Sequence, residues 1–378
     1  MSDREIVARI APGVARVDSG AWDACAGRDN PFLSHAFLSA LEESGSATAR
    51  AGWQPAPLLI DAPDGLPAAI APAYVKSHSQ GEYVFDHAWA DAYARAGGRY
   101  YPKLQIAVPF TPVPGRRLLT RDPGLAPALI AAAEQVVGGS GLSSAHATFI
   151  AQEEVALFEQ AGWLIRTDSQ FHWHNEGFGS FEDFLGTLSS RKRKSIRKER
   201  AGALEGLTVE HVSGAAITER HWDAFWVFYQ DTGARKWGRP YLTRRFFSLL
   251  GERMADRLLL VLAMHDGEPI AGALNLIGAD TLYGRYWGAV AEVQHLHFEI
   301  CYYQAIDYAI AHGLARVEAG AQGGHKLSRG YRPVTTYSAH YLADPALRRA
   351  VAQYLDAERR AVAEEIAALD EMGPFRKG

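Results

Sequence analysis

The densest supply of groups able to move protons lies at His295-Leu296-His297-Phe298-Glu299, with Tyr302 and Tyr303 close behind. Forming an amide by direct attack needs a deprotonated amine, a polarised carbonyl and a proton for the leaving group. If this segment opens a helix, side chains 299, 302 and 303 share a face, with His297 just ahead of it. Glu299 or His297 is then the general base, directly or through water, and Tyr303 the proton donor. A plainer alternative stands beside this one: Glu299 complements the helix N-terminus and the tyrosines pack. His-x-His-x-Glu also has the chemistry of metal ligands, but nothing else in the chain completes such a site. His172 and His174 share one strand face and read as packed or surface residues.

A second cluster runs from Glu318 through Gly320-Ala321-Gln322-Gly323-Gly324-His325-Lys326 to Arg329-Gly330. Here a strand ends in a glycine-rich loop bearing cations. Glycines let the backbone approach a ligand and turn its N–H groups toward an anion, and Lys326 and Arg329 add charge for a phosphate, a carboxylate or a developing oxyanion. The alternative is an ordinary glycine loop between two strands.

A third feature is the basic helix Arg191 to Arg200, with seven Lys/Arg against the single Glu199. Such a run is usually a solvated face. Leu185, Leu188 and Ile196 give it an apolar side, so it reads as docked, with Arg193 and Arg197 as contacts for tRNA, a nucleotide pyrophosphate or coenzyme A phosphates. A fourth is the aromatic and proline segment Tyr100 to Pro112. Tyr101, Lys103 and Phe110 read as a rigid rim over a cleft between domains, with Gln105 alternating with Lys103 along the strand and Trp237 bordering the same cleft; the aromatics read equally as core. No Ser-His-Asp order, P-loop or dinucleotide fingerprint stands out.

The elements that must position these groups come as an internal repeat. Pro31-Phe32-Leu33-Ser34-His35-Ala36-Phe37-Leu38-Ser39-Ala40-Leu41 reads against Pro240-Tyr241-Leu242-Thr243-Arg244-Arg245-Phe246-Phe247-Ser248-Leu249-Leu250. Ser34 and Thr243 each read as a helix N-cap. Apolar runs around an Asp-Gly turn then predict a hairpin in each copy: Leu58 to Asp61 with a second strand to about Lys76, and Leu258 to Met264 with Ile270 to Ile277. A long helix follows each hairpin, Pro127 to Val137 and Glu299 to His312, and then a strand, Ala145 to Ile150 and Ala315 to Ala319. A boundary near Arg166 divides the chain into residues 1–165 and 166–378. The end of the chain reads as a helix from Pro345 to about Leu369, with a charged face over an apolar stripe.

Bulk properties agree with two folded domains. The chain has 378 residues, 48% hydrophobic and 22% charged, with a formal net charge of -4; disorder and global attraction to nucleic acid or anionic membrane are excluded. Cys25 and Cys301 match neither CxxC nor a metal spacing, and fit a reducing cytoplasm. No apolar leader follows the charged first residues and no stretch approaches the roughly 18 apolar residues of a membrane helix, so a soluble cytoplasmic protein without membrane insertion is expected.

Two stretches carry a family resemblance: Tyr100-Tyr101-Pro102-Lys103-Leu104 leading into Pro109-Phe110-Thr111-Pro112-Val113, and Gly320-Ala321-Gln322-Gly323 through His325-Lys326 to Arg329-Gly330-Tyr331-Arg332-Pro333. With Ser189-Ser190-Arg191-Lys192-Arg193-Lys194 and Gly233-Ala234-Arg235-Lys236-Trp237-Gly238, the chain resembles the FemAB-like family, labelled peptidoglycan biosynthesis/recognition, of the GNAT acyl-CoA N-acyltransferase superfamily. The resemblance implies an α/β (α+β) fold of two tandem GNAT-like domains, each a mixed, mainly antiparallel sheet flanked by helices. It implies an N-acyltransferase that moves an acyl or aminoacyl group from acyl-CoA or aminoacyl-tRNA to a small-molecule amine, with no tightly bound cofactor. Fem-type and related GNAT sequences place a lysine after the same strand, which gives Lys326 a ligand role, with Gln322 and Arg329 beside it. GNAT enzymes hold the coenzyme A pyrophosphate on an Arg/Gln-x-x-Gly-x-Gly/Ala loop opening a helix; the nearest match is Arg285-Tyr286-Trp287-Gly288-Ala289-Val290, with Val290 where Gly or Ala is expected. A binding module for a cell-wall precursor or modified amine, on the same fold but without the chemistry, is the rival expectation.

The copies differ in one respect. Phe149-Ile150-Ala151-Gln152-Glu153 stands where the first copy would carry the Gly-Gly-His-Lys loop, and the His-Leu-His-Phe-Glu helix entry occurs only in the second. The first domain thus reads as acceptor platform and the second as donor-binding and catalytic half, with the acceptor between them.

Overall fold

The computed structural model describes residues 6–236, 240–320 and 323–376, excluding the side chains of 232–236. It divides into two compact units. One takes the chain to Asp168 together with Thr335–Glu364; the other takes Ser169–Val334 and the chain from Glu365.

The first unit opens with β1 (Ala8–Ile10), α1 (Ser19–Ala26) and α2 (His35–Glu43), the last capped by Ser34, whose hydroxyl accepts from the backbone N–H of Phe37. Strands β2 (Trp53–Pro55), β3 (Leu58–Asp61), β4 (Pro67–Ala71) and β5 (Ala73–Lys76) follow. The strand expected to run through to Lys76 is broken at Pro72, which has no N–H to give a ladder, and the halves part. β4 joins a small sheet ordered β1-β3-β4 with β7 (Leu119–Thr120), while β5 lies between β2 and β6 (Lys103–Ile106). α3 (His87–Arg95) precedes β6; α4 (Ala126–Ser140), β8 (Ser144–Ile150) and α5 (Val155–Gln160) complete the run, with β6 and β8 parallel. The core gathers Leu58, Ile60, Leu104, Ile106, Leu129, Ile130, Ala145, Ala147 and Phe158, all buried.

The chain enters the second unit within β9 (Leu164–His174) and continues through α6 (Phe181–Thr187), α7 (Ser190–Ala203), β10 (Thr208–Ser213), α8 (Glu219–Lys236) and α9 (Arg244–Met254), whose N-cap position is Thr243. Three long strands follow, β11 (Leu258–His265), β12 (Glu268–Ile277) and β13 (Thr281–Ala289), each antiparallel to the next. A helix follows in three parts: α10 (Leu296–Phe298), a π-turn over Glu299–Tyr303, and α11 (Gln304–Ala311). β14 (Arg316–Glu318) then pairs in parallel with the start of β13 and antiparallel with His172–His174 of β9. Almost all of β11 is buried, so it reads as a continuous apolar run rather than an alternating one.

The last strand, β15 (Arg332–Leu342), and α12 (Pro345–Glu371) carry the chain back. Residues Tyr337–Leu342 hydrogen-bond to β8, and Leu347, Val351 and Leu355 pack with Trp89 and Tyr100. The units part at Asp168/Ser169, close to the boundary expected near residue 166, but Thr335–Glu364 belongs with the first. No described helix is long and apolar enough to cross a membrane.

Candidate active site in the second unit

Strands β13 and β14 stay together for only three pairs, Thr281↔Arg316, Leu282↔Val317 and Tyr283↔Glu318. Beyond them β14 ends, while β13 runs on to Ala289 paired with β12 alone. The open edge left between them is a cavity of about 120 Å³ lined by Ala273, Asn275, Gly284, Arg285, Tyr286, Trp287, His297, Cys301, Tyr302 and Ala319. Two local features shape it. A bulge falls where Leu274 pairs with Tyr286 but Asn275 pairs with Gly284, so Arg285 is the extra residue; a bulge re-aims the side chain it carries. Gly288 lies so close under α8 that a Cβ there would stand 2.0 Å from the Phe228 carbonyl oxygen, which only glycine permits.

The π-turn changes which helical side chains face this cavity. Bonds of i→i+5 type widen the turn and separate residues that an α-helix would align. Cys301 and Tyr302 line the cavity, and Tyr302 Oη lies 2.8 Å from His325 Nε2. Glu299 turns away, fully buried, and accepts from Arg200 at 2.9 and 3.1 Å and from Gln304 at 2.7 Å. Tyr303 Oη donates to Glu199 at 2.5 Å, and Arg329 reaches the same carboxylate at 2.9 Å while stacking on Phe298. The face expected to carry Glu299, Tyr302 and Tyr303 together is thus divided: Tyr302 belongs to the cavity, and Glu299, Tyr303 and Arg329 anchor α7.

Two ionisable groups near the cavity titrate close to neutrality. Lys326, almost wholly buried, donates to the Gly320 carbonyl at 2.6 Å; burial, reinforced by the positive charge of Arg285, pulls its ammonium down to about 7. Glu318 ends β14 beside the point where the strands part, and burial pushes its carboxyl up to about 7. Groups poised near 7 can take or give a proton at neutral pH. The sequence placed Glu318 at the start of the second cluster without a role and did not single out Asn275, whose one available signal is an amide inside the apolar run Ile270 to Ile277.

The remaining expected residues are divided between the cavity and other places. His297 and Arg285 line the cavity, but the segment 285–290 lies within and just past β13, not in a loop opening a helix. Arg193 and Arg197 are on α7, the latter exposed and paired with Glu182. Trp237 and Gln322 lie outside the described residues.

Tyr101, Lys103 and Phe110 belong to the first unit, and Lys103 is no rim residue. It is completely buried and donates to Glu82 at 2.7 Å, Asp86 at 2.5 Å and Ser79 at 2.8 Å. Tyr101 shares a hydrogen bond with Ser79, Phe110 packs on Trp53, and Gln105 donates to Thr148. From Asp86 the network continues through Tyr100 to His146 and on to His340. A charged strand residue pointing inward needs partners, and these supply them. Among the described residues no group of His, Cys, Asp and Glu could hold a metal ion.

Known proteins place this fold. FemX superimposes with a TM-score of 0.55 at 11% identity, covering 89% of this chain and 99% of its own, and L-PGS from Bacillus licheniformis with 0.52 at 12%, covering 87% and 98%. A 165-residue stretch is 27% identical to a protein of Mycobacterium tuberculosis (strain CDC 1551 / Oshkosh) named as a candidate 8-amino-7-oxononanoate synthase 2, covering 42% of this chain and 20% of that protein. The chain therefore spans about a fifth of the length of the curated relatives it matches. The profile of the FemAB-like family, described as peptidoglycan biosynthesis/recognition, matches residues 13–377, and the chain belongs to that family.

Proposed function

We propose that the protein is an N-acyltransferase that moves an acyl or aminoacyl group from a coenzyme A thioester or an aminoacyl-tRNA onto a small-molecule amine. The observation that carries this reading is the parting of β13 from β14, which opens a cavity beside two groups that titrate near 7. FemAB-like membership supports the same chemistry.

In this reading the reacting carbonyl enters the cavity and the amine nitrogen attacks its carbon. Glu318, ionised above about 7, takes the proton that the amine must lose, directly or through water. The C–S or C–O bond to the donor then breaks, and the leaving sulfur or oxygen takes a proton from Lys326, whose ammonium gives one up near neutrality. Arg285 and Lys326 stabilise the negative charge that develops on the carbonyl oxygen. Arg191, Lys194, Arg197 and Lys198 on the exposed side of α7 suit the phosphates of either donor. Glu299, Tyr303 and Arg329 act on this site only by fixing α7.

The test is transfer from labelled acyl-CoA and from aminoacyl-tRNA to a library of amines. Transfer from at least one donor is expected, with a bell-shaped pH–rate profile centred near 7, its acid limb set by Glu318 and its alkaline limb by Lys326. No transfer from any donor, in protein that still melts cooperatively, overturns the proposal.

A further inference from the structure

Asn275 is fully buried in β12, between Leu274 and Leu276, where packing alone calls for another aliphatic side chain. Its Nδ2 faces two backbone carbonyls, Leu259 at 3.4 Å and Ala273 at 3.5 Å. Asn275 lines the cavity, and its other end, Oδ1, is buried without a hydrogen-bond partner among the described residues. Buried acceptors are nearly always satisfied, so an unsatisfied one on a residue that lines a cavity points to a donor that arrives with a ligand. The bulge sets Asn275 directly opposite Gly284. A Cβ on Gly284 would lie 3.4 Å from Oδ1, 3.5 Å from the Glu318 carbonyl and 3.7 Å from Ala319 Cα. Those are ordinary contacts that the fold would tolerate, so the missing side chain leaves space beside Oδ1 rather than relieving a clash.

We propose that Asn275 is a specificity-determining residue whose Oδ1 accepts a hydrogen bond from an N–H of the acyl donor, and that Gly284 keeps the path to it open. The ligand chemistry is an N–H donor within reach of the reacting carbonyl. It can come from an amide of a pantetheine arm or from the ammonium of an aminoacyl group. The inference rests on the proposed use of the cavity by the acyl donor.

The experiment compares the full-length protein with Asn275→Leu and Gly284→Ala by calorimetric titration and thermal melting. One probe is pantetheine, which carries two amides. The other is an alanyl-amide of 3′-amino-3′-deoxyadenosine, set against its desamino propionyl counterpart. Asn275→Leu is expected to melt at or above the parent, because an unsatisfied buried acceptor has gone, and to bind the responsible probe at least about tenfold more weakly. Gly284→Ala should weaken the same probe with its melting temperature unchanged. Loss confined to pantetheine assigns the N–H to the donor arm; loss of the alanyl-over-propionyl preference assigns it to the ammonium. Either outcome supports the proposal. Affinity equal to the parent's in both variants overturns it while leaving the transfer reaction standing, as does an Asn275→Leu variant that melts lower but binds as well. A parent protein that binds neither probe overturns it too, and the transfer assay on the same preparation shows whether the broader reading falls with it.

Discussion

Lys103 and Lys326 are both withdrawn from solvent, and their surroundings treat them in opposite ways. Lys103, in the first unit, loses hydration but gains Glu82 and Asp86, and although burial works against it these carboxylates hold its ammonium above the ordinary lysine range. Lys326, in the second, meets one backbone carbonyl and the like charge of Arg285, so burial dominates and its pKa falls to about 7. A buried charge that is paired holds structure together; one that is left nearly unpaired beside a cavity is ready to exchange a proton. Buried ionisable groups alone would not have located the site, since the first unit has more of them.

The comparison breaks most sharply at Lys103. Lys103→Met leaves Asp86 buried without its lysine and Glu82 with only Lys76, 3.9 Å away, and removing one partner of a buried pair costs about 3–5 kcal/mol. A denaturant midpoint that falls by that much, with transfer per folded molecule retained, is the expected result. Unchanged stability with lost transfer would move the chemistry into the first unit.

Glu318→Gln sharpens the other side. The folded-state pKa of about 7 lies above the unfolded value, so the folded state holds the extra proton between about pH 4.3 and 7. The group's contribution to stability is therefore complete below that window and is lost as pH rises through it. The change is on the order of 3 kcal/mol. The Gln variant should match the parent near pH 4, exceed it near pH 8, and lose the pH-dependent rise in transfer. Chemical denaturation at the two pH values and a pH–rate profile read both effects.

Lys326→Met acts on the fold through the same linkage, with the opposite pH dependence. The lowered pKa means the folded state binds fewer protons than the unfolded chain between about pH 7 and 10.4, so the lysine penalises the fold fully below 7 and progressively less as pH rises. The Met variant should lack that rise, melt at least as high as the parent at neutral pH, and transfer about 100-fold more slowly, a loss of about 2.7 kcal/mol in transition-state stabilisation.

Much of this was legible in the linear pattern. The Asp-Gly turn at 266–267 between apolar runs gave β11 and β12 almost to the residue, and the apolar stripe after Pro345 gave α12. His297, Arg285 and Lys326 were visible as chemistry-bearing types near glycines. The placement of Glu299 and Tyr303 was not, because a 3.6-residue period was assumed where one π-turn inserts a residue. Lys103 looked like a surface cation because its partners, Glu82 and Asp86, are 21 and 17 residues away along the chain.

The sequence by itself determined the β11–β12 hairpin, the helices α4 and α12, and the family, since these follow from local periodicity, turn chemistry and residue type. Only the tertiary structure decided that β15 joins the sheet of the first unit, that β13 and β14 part after three pairs, and that the lysine at 103 is paired while the one at 326 is not. Each of these is a matter of which distant segment lies alongside, and of how much water and opposite charge it leaves there. Neither quantity is written in the neighbours along the chain.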